Sequence, residues 1–572
     1  MRVRIISGVL SILFAILVIS LAYTQILKNK KYVALSQTNR VRLIPVEGQR
    51  GRIFDRNGAL LVSNRSSFDI VVIPQELENS VKTLSRVGEV LGVAPSEVFK
   101  KVERNYVAPF APISIKEDVE KQKAIILEGE APRLPGVMVR VMPKREYKFN
   151  EIASHIFGYL GEIDRGELGR LRDYGYQVKD LIGKSGLEKN YDNYLKGEQG
   201  GMQLEVNNRG YFVKALGKKE ATCGRDLFLT VDIRLQAFIE NALLDKNGAC
   251  IVMVPNTGEV LALVSKPNFD PVIFITKERY KERADLLKEP SRPMLNRAIS
   301  GLYPPGSVFK PIVAIAALER KRITPQSTFG CSGRYLLGQN AFDCWNEEGH
   351  GLQTVSEGLK NSCNVFFYQL GRAVGVDDIF NFATRFGYGA PTGIDLPEES
   401  TGLIPNKMWK RLVRKEAWFE GDTLNFSIGQ GYLLVTPIQV LRMMAAISNG
   451  GILVQPYIVK KINNIEISTG RTKDAGISKK TLDIVKAGLM RVVEDETGTG
   501  RRARVEGLSI AGKTGTAQSP KGLSHAWFAG FSPVENPRIA FVVFIEHGGK
   551  GGLEAAELAG KIFKEAQRIG LL

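Results

Sequence analysis

At 572 residues the chain is too long for a single hydrophobic core, so two or three domains are expected. A hydrophobic content of 44% and a charged content of 24% exclude a disordered chain. The formal net charge of +18 narrows the partners to nucleic acid, an anionic membrane surface or a polyanionic substrate.

The N-terminus decides among these. Met1-Arg-Val-Arg4 precedes a run from Ile5 to Leu27 without one charged residue, enough helix to cross a bilayer, and Lys28, Lys30 and Lys31 end it. A cleaved signal peptide is the alternative, with Ser20-Leu-Ala22 as a weak cleavage site. The run is long for a signal peptide's apolar region, which favours an uncleaved anchor. A single anchor leaves residues 32–572 on one side of the membrane, and long domains translocate largely regardless of flanking charge. An extracytoplasmic body is therefore expected, with lipid head groups and lipid-linked intermediates as its phosphate-rich partners and no nucleic acid.

Residues 31–222 are expected to form an elongated pedestal. Short strands and turns occupy 40–75, and Asn57-Gly58 between apolar runs is a hairpin signal. Val81, Leu84, Val87 and Val90 fit a helix, Pro95-Ser96 opens another, and a strand returns over 134–140. Residues 75–140 thus form an inserted α+β head. The block from Arg145 to Gly210 shows no catalytic cluster, and a spacing role is expected for it. Its Lys184-Ser-Gly186 is taken as a structural turn.

From Cys223 the pattern changes. A helix over 234–244, a hairpin of 249–254 and 259–265, a strand pair at 525–531 and 538–545, and a final helix from Glu554 to about Ile569 bring both ends of one α+β domain into an antiparallel sheet. Within it, Tyr303-Pro-Pro-Gly-Ser-Val-Phe-Lys310 opens a helix that is apolar on every side, and such a helix belongs in a core. Ser307 and Lys310 share a face of its first turn. A partly desolvated lysine can take the proton of a serine hydroxyl and make it a nucleophile.

Two further triplets complete an acyl-transfer set. In Asn361-Ser-Cys-Asn364, Ser362 can pass a proton between Lys310 and a leaving amine, while Asn364 hydrogen-bonds a substrate amide. In Gly512-Lys-Thr-Gly-Thr-Ala-Gln518, Lys513, Thr514 and Thr516 can hold a terminal carboxylate, and Gly515 keeps the cleft open. The backbone N–H groups of Ser307 and Thr516 are the oxyanion-hole candidates. Each triplet alone is weak; the ordered set within one domain is specific.

This set resembles the class B penicillin-binding proteins, and so do Arg50-Gly-Arg-Ile-Phe-Asp-Arg-Asn-Gly58, His155-Ile-Phe-Gly-Tyr-Leu-Gly-Glu162, Gly183-Lys-Ser-Gly-Leu-Glu188, Gly349-His-Gly351 and Gly429-Gln-Gly-Tyr-Leu433. Gly158-Tyr-Leu-Gly-Glu162 and Gln518 look like the elongation type rather than the division type. The resemblance implies an N-terminal transmembrane helix, a pedestal and a transpeptidase domain with helices on both sides of its sheet. It also implies a D,D-transpeptidase on the periplasmic face of the inner membrane. Its donor is a stem peptide ending in D-Ala-D-Ala, which acylates Ser307, and its acceptor is an amine on a neighbouring stem. β-Lactams bind the same serine. A SEDS-family glycosyltransferase and other membrane proteins of the elongation complex are the implied partners. A D,D-carboxypeptidase or another hydrolase would use the same residues with water as acceptor. A β-lactam sensor or a scaffold that chiefly activates the polymerase are the non-enzymatic alternatives.

Three of the five cysteines and one of the four histidines fall between the first two motifs: Cys331, Cys344, His350 and Cys363. Three thiolates and an imidazole make a closed tetrahedral zinc set, and some members similar to the elongation type carry a metal in this loop. A Cys331 to Cys344 disulfide is the alternative. The acyl-transfer chemistry itself requires no cofactor. Cys250 is expected in the core, His155 and His525 in structural roles, and His547 at a strand end on the surface.

Overall fold

The computed structural model describes residues 2–30, 32, 41–206, 212–467, 471–519 and 522–572. Helix α1 (Arg2–Ala22) continues into a π turn over Tyr23–Leu27. Its apolar stretch Arg4–Leu27 is long enough to cross a membrane, and no part of it is buried within the protein.

The chain divides into two compact units, one of 1–51, 63–146 and 196–225, the other of 52–62, 147–195 and 226–572. In the first, the strand β1 (Leu60–Val72) pairs on one side with β2 (Ile113–Val119) and on the other with β3 (Val137–Tyr147). Helices α2 (Ser80–Leu91) and α3 (Pro95–Arg104) cover them. Leu84, Val87 and Leu91 recur at helical spacing and bury against Ile70, Val72, Ile113 and Ile115, so this α+β layer takes in β1, which precedes the 75–140 expected for the head. Asn79 caps α2 by accepting from the Lys82 N–H, and Gly92 ends it in the left-handed conformation that a side chain would resist.

The second unit is built on a five-stranded antiparallel sheet in the order β5–β4–β8–β7–β6. These strands are β4 (Gly248–Met253), β5 (Val260–Lys266), β6 (Ala511–Ala517), β7 (His525–Ser532) and β8 (Ile539–Ile545). Both expected strand pairs are present, joined across the middle by β4 and β8. The apolar runs are continuous rather than alternating because both faces are covered. Cys250, Val252, Phe541 and Val543 point to α4 (Ile233–Ala242) and to the final helix, Glu554–Arg568. Ile251, Val542 and Phe544 point to the opposite layer, with α5 (Lys310–Glu319) and α8 (Pro437–Ser448). Cys250 is fully buried, as expected for a core residue. Between α5 and α8 in the chain lie α6 (Val355–Lys360) and α7 (Asn364–Val374); after α8 come α9 (Lys479–Glu494) and the final helix, α10 (Glu554–Arg568).

Residues 147–195, read from sequence as a spacer, pack within this second unit. The Ala153 N–H donates to Glu240 Oε1 at 2.7 Å, His155 Nε2 lies 3.1 Å from the Pro267 carbonyl, and Tyr191 donates to Asp395 at 2.9 Å. A Cβ on Gly158 would sit 1.9 Å from the Ser185 carbonyl, and one on Gly186 would sit 2.4 Å from the Gly158 N. Lys184-Ser-Gly186 is therefore a backbone-on-backbone turn, its lysine bound to Glu167 at 2.5 Å.

Candidate active site

Ser307 lies on a short 3-10 turn, Gly306–Phe309, and Lys310 is the first residue of α5. The expected α-helical first turn is thus wound more tightly. Such turns are common at helix starts, and they set residues three apart directly one above the other. The turn is held by backbone. Gly306, at φ +56°, donates its N–H to Gly429 O at 2.9 Å, and a Cβ on Gly429 would sit 2.1 Å from Gly306 O. Only glycine at 429 allows that approach.

Lys310 is fully buried. Its Nζ donates to the Ser362 carbonyl and to Asn364 Oδ1, both at 2.8 Å, and lies 3.5 Å from Ser362 Oγ. Burial pushes this amine down from the usual lysine value to about 8. The motif serine and asparagine reach it because α6 stops at Asn361, Ser362 turns with φ +49°, and Cys363 caps α7 with Asn364 as its first residue. A left-handed φ at a non-glycine residue is unfavourable and is held only by its surroundings.

Lys513, on β6, is also fully buried, and its Nζ donates to Ser362 Oγ and to the Thr514 carbonyl, both at 2.9 Å. Burial and then the charge of Lys310 push its amine well below the usual range. One hydroxyl thus stands between two desolvated amines. Thr514 and Thr516 differ: the Thr514 hydroxyl is buried and donates to Thr499 Oγ1 at 3.0 Å, whereas Thr516 is exposed and its hydroxyl accepts from the Gly551 N–H at 3.2 Å. A Cβ on Gly515 would come within 3.0 Å of Pro305 O and Val308, so this glycine lets β6 lie against the serine turn. Thr499, absent from the sequence reading, anchors the site from below by donating to the Lys360 carbonyl at 3.1 Å. Tyr303 likewise ties the approach to the serine to the end of β8, donating to Glu546 at 2.6 Å.

The sulfur and nitrogen atoms of Cys331, Cys344, His350 and Cys363 lie within 4.8 Å of one another. All five cysteines are free thiols in this structure. His350 Nδ1 faces both Cys331 Sγ, at 3.6 Å, and Cys344 Sγ, at 3.5 Å. The Cys363 thiol and backbone N–H groups directed at Cys344 hold its thiol down to about 4. Of the other histidines, His155 is buried, with its pKa pushed down to about 4 by desolvation. His525 Nδ1 accepts from the His547 N–H at 3.2 Å, and His547 is exposed at the end of β8.

Comparison with known proteins agrees with this geometry. Residues 248–565 match the penicillin binding protein transpeptidase domain, and residues 45–229 match the penicillin-binding protein dimerisation domain. The chain is similar to the peptidoglycan D,D-transpeptidase MrdA of Haemophilus influenzae, with 33% identity over 96% of this chain and 89% of that protein. It is similar to penicillin-binding protein 2 of Helicobacter pylori solved in complex with MreC, with a TM-score of 0.82 and 28% identity over 93% of this chain and 100% of that one. It also matches a chain of a solved peptidoglycan synthase complex that coordinates polymerization and crosslinking, with a TM-score of 0.76 and 30% identity over 98% and 97% of the two chains. The protein is membrane-anchored, and it belongs to the class B penicillin-binding proteins, in the elongation-specific branch of penicillin-binding protein 2.

Proposed function

We propose that Ser307 is the nucleophile of this enzyme, a peptidoglycan D,D-transpeptidase of cell elongation, that Lys310 and Ser362 carry its proton transfers, and that Asn364 and Lys513 position the donor. The observation behind this reading is the placement of Ser362 Oγ between the Lys513 and Lys310 amines, with Ser307 one tight turn from Lys310. The neutral Lys310 amine takes the Ser307 proton as Oγ attacks the penultimate D-Ala carbonyl. The N–H groups of Ser307 and Thr516 receive the developing oxyanion. Ser362 relays the proton to the departing D-Ala nitrogen, and Asn364 orients the donor amide. An acceptor amine then attacks the ester, returning the proton to Ser307 by the same route. Thr516, whose hydroxyl is exposed, receives the donor carboxylate with the Lys513 amine behind it; Thr514 supports them by fixing β6 to Thr499. Intact-mass measurement of the full-length chain after incubation with penicillin tests this. One stable adduct is expected on the wild type and none on Ser307→Ala, and no adduct on folded wild type would remove Ser307 from the role.

The Cys331, Cys344, His350 and Cys363 set fits zinc in donor chemistry and in mutual distance. The ion would close the loop after α5 onto the Ser362 turn and takes no part in acyl transfer. Metal analysis of the purified chain and of Cys344→Ser tests it, with zinc near one equivalent expected only in the former. An extracytoplasmic body at the inner membrane, an MreC-type partner and a SEDS-family polymerase complete the reading, supported by the relatives described above.

A further inference from the structure

The segment from Lys407 to Phe419 is not used by the site just described. A short helical turn, Lys407–Trp409, passes into a π turn, Lys410–Arg414, and then into Lys415 at φ +61°, and residues 411–417 are all exposed. π turns are rare and recur at functional positions. Four large apolar side chains stand in solvent here: Met408 is 70% exposed, Leu412 62%, Val413 61% and Phe419 62%. Exposed apolar groups clustered in this way mark interaction surfaces.

The strap is rigid rather than loose. Lys410 is 2% exposed, with its Nζ 2.6 Å from Asp422 and 3.5 Å from Glu416, and it lies over the Phe419 ring. Trp409 and the Arg414 guanidinium pack on the Tyr432 ring at 5.2 and 5.6 Å. Tyr432 is three residues beyond Gly429, which abuts Gly306 beside the nucleophile. The strap is therefore continuous with the wall of the acyl-transfer site. Its cations are uncompensated: among the described residues, no carboxylate pairs with Arg411, Arg414 or Lys415.

We propose that this strap is a docking surface for peptidoglycan strands, with Arg411, Arg414 and Lys415 receiving free stem-peptide carboxylates and the apolar side chains lying against the sugar faces. The inference rests on the transpeptidase reading and extends it, giving the polymeric substrate a contact that a small β-lactam does not reach. Charge complementarity to an acidic polymer and continuity with Gly306 favour a glycan strand over a phospholipid surface.

The test uses the full-length chain in phosphatidylcholine nanodiscs, sedimented with purified sacculi. Arg411→Gln/Arg414→Gln/Lys415→Gln and, separately, Leu412→Ser/Val413→Ser are each expected to weaken sedimentation roughly tenfold with unchanged melting temperature. The wild type is expected to lose affinity to a similar degree on sacculi with amidated carboxylates and at raised ionic strength. Wild-type sedimentation by both variants would overturn the proposal. So would a cationic variant that keeps its sacculus binding while losing binding to phosphatidylglycerol vesicles, which would assign the strap to the membrane. A penicillin adduct on the wild type alongside either of those results confines the failure to the strap, whereas its absence removes the transpeptidase reading and this inference with it.

Discussion

Lys513 Nζ lies 2.9 Å from Ser362 Oγ, and the same hydroxyl is 3.5 Å from Lys310 Nζ. Two buried amines so close cannot both be fully charged without large cost, which is why Lys513 is pushed down partly by Lys310. Ser362→Ala removes the bridge and leaves the Lys513 amine with the Thr514 carbonyl as its acceptor among the described residues. Acylation by penicillin is expected to fall by about 100-fold or more, with about 1–3 kcal/mol of stability lost to the stranded amine. Stopped-flow acylation and urea unfolding measure the two; a normal acylation rate would exclude Ser362 from proton transfer.

Gly429→Ala places a methyl 2.1 Å from Gly306 O and forces alanine to φ +74°. The conformational penalty alone is about 1–2 kcal/mol, and relief of the clash must shift the Ser307 turn. Slower acylation together with a lower melting temperature is expected. Gly431→Ala is the comparison, because its Cβ would meet nothing nearer than 3.5 Å, so the difference between the two isolates the close approach.

Thr499→Val keeps the volume but removes the hydroxyl that joins Thr514 to the Lys360 carbonyl. A loss of about 1 kcal/mol in stability is expected, and, because β6 carries Lys513 and Thr516, a several-fold slower acylation. An unchanged rate at reduced stability would limit Thr499 to holding the strand.

His155 supplies a pH dependence. Its folded pKa is about 4 against an ordinary 6.5, so the folded state favours the neutral ring. Above pH 6.5 both states are neutral and nothing changes. Below it the unfolded chain binds a proton that the folded chain refuses, and stability falls until about pH 4, by about 3 kcal/mol in total. His155→Gln is expected to flatten this part of the curve of unfolding free energy against pH, and an unaltered slope in the variant would locate the acid sensitivity elsewhere.

The acyl-transfer motifs were legible because each is short, local and in fixed order, and the strands and helices around them because their apolar runs are long. Lys310, Ser362, Asn364 and Lys513 are joined by hydrogen bonds, and Ser307 lies one turn before Lys310. Gly429 and Thr499 leave no period in the sequence, since Gly429 acts by a backbone approach to Gly306 and Thr499 by hydroxyl bonds to Thr514 and to the distant Lys360 carbonyl. Thr514 was grouped with Thr516 from its place in the triplet, yet its hydroxyl turns to Thr499 while Thr516 faces solvent. Residues 147–195 show no catalytic cluster in the sequence, and their contacts to Glu240, Pro267 and Asp395 depend on partners distant in the chain.

The Gly306 to Gly429 contact, and the fit of Gly515 against Pro305, set the Ser307 turn by main chain pressed on main chain. A bacterium under selection by a β-lactam cannot adjust such a contact in small steps, since the smallest added side chain already collides. Drug escape by substitution in this enzyme is therefore directed to the rim, to exposed positions such as Thr516, where a change in shape can reach the drug without moving Ser307.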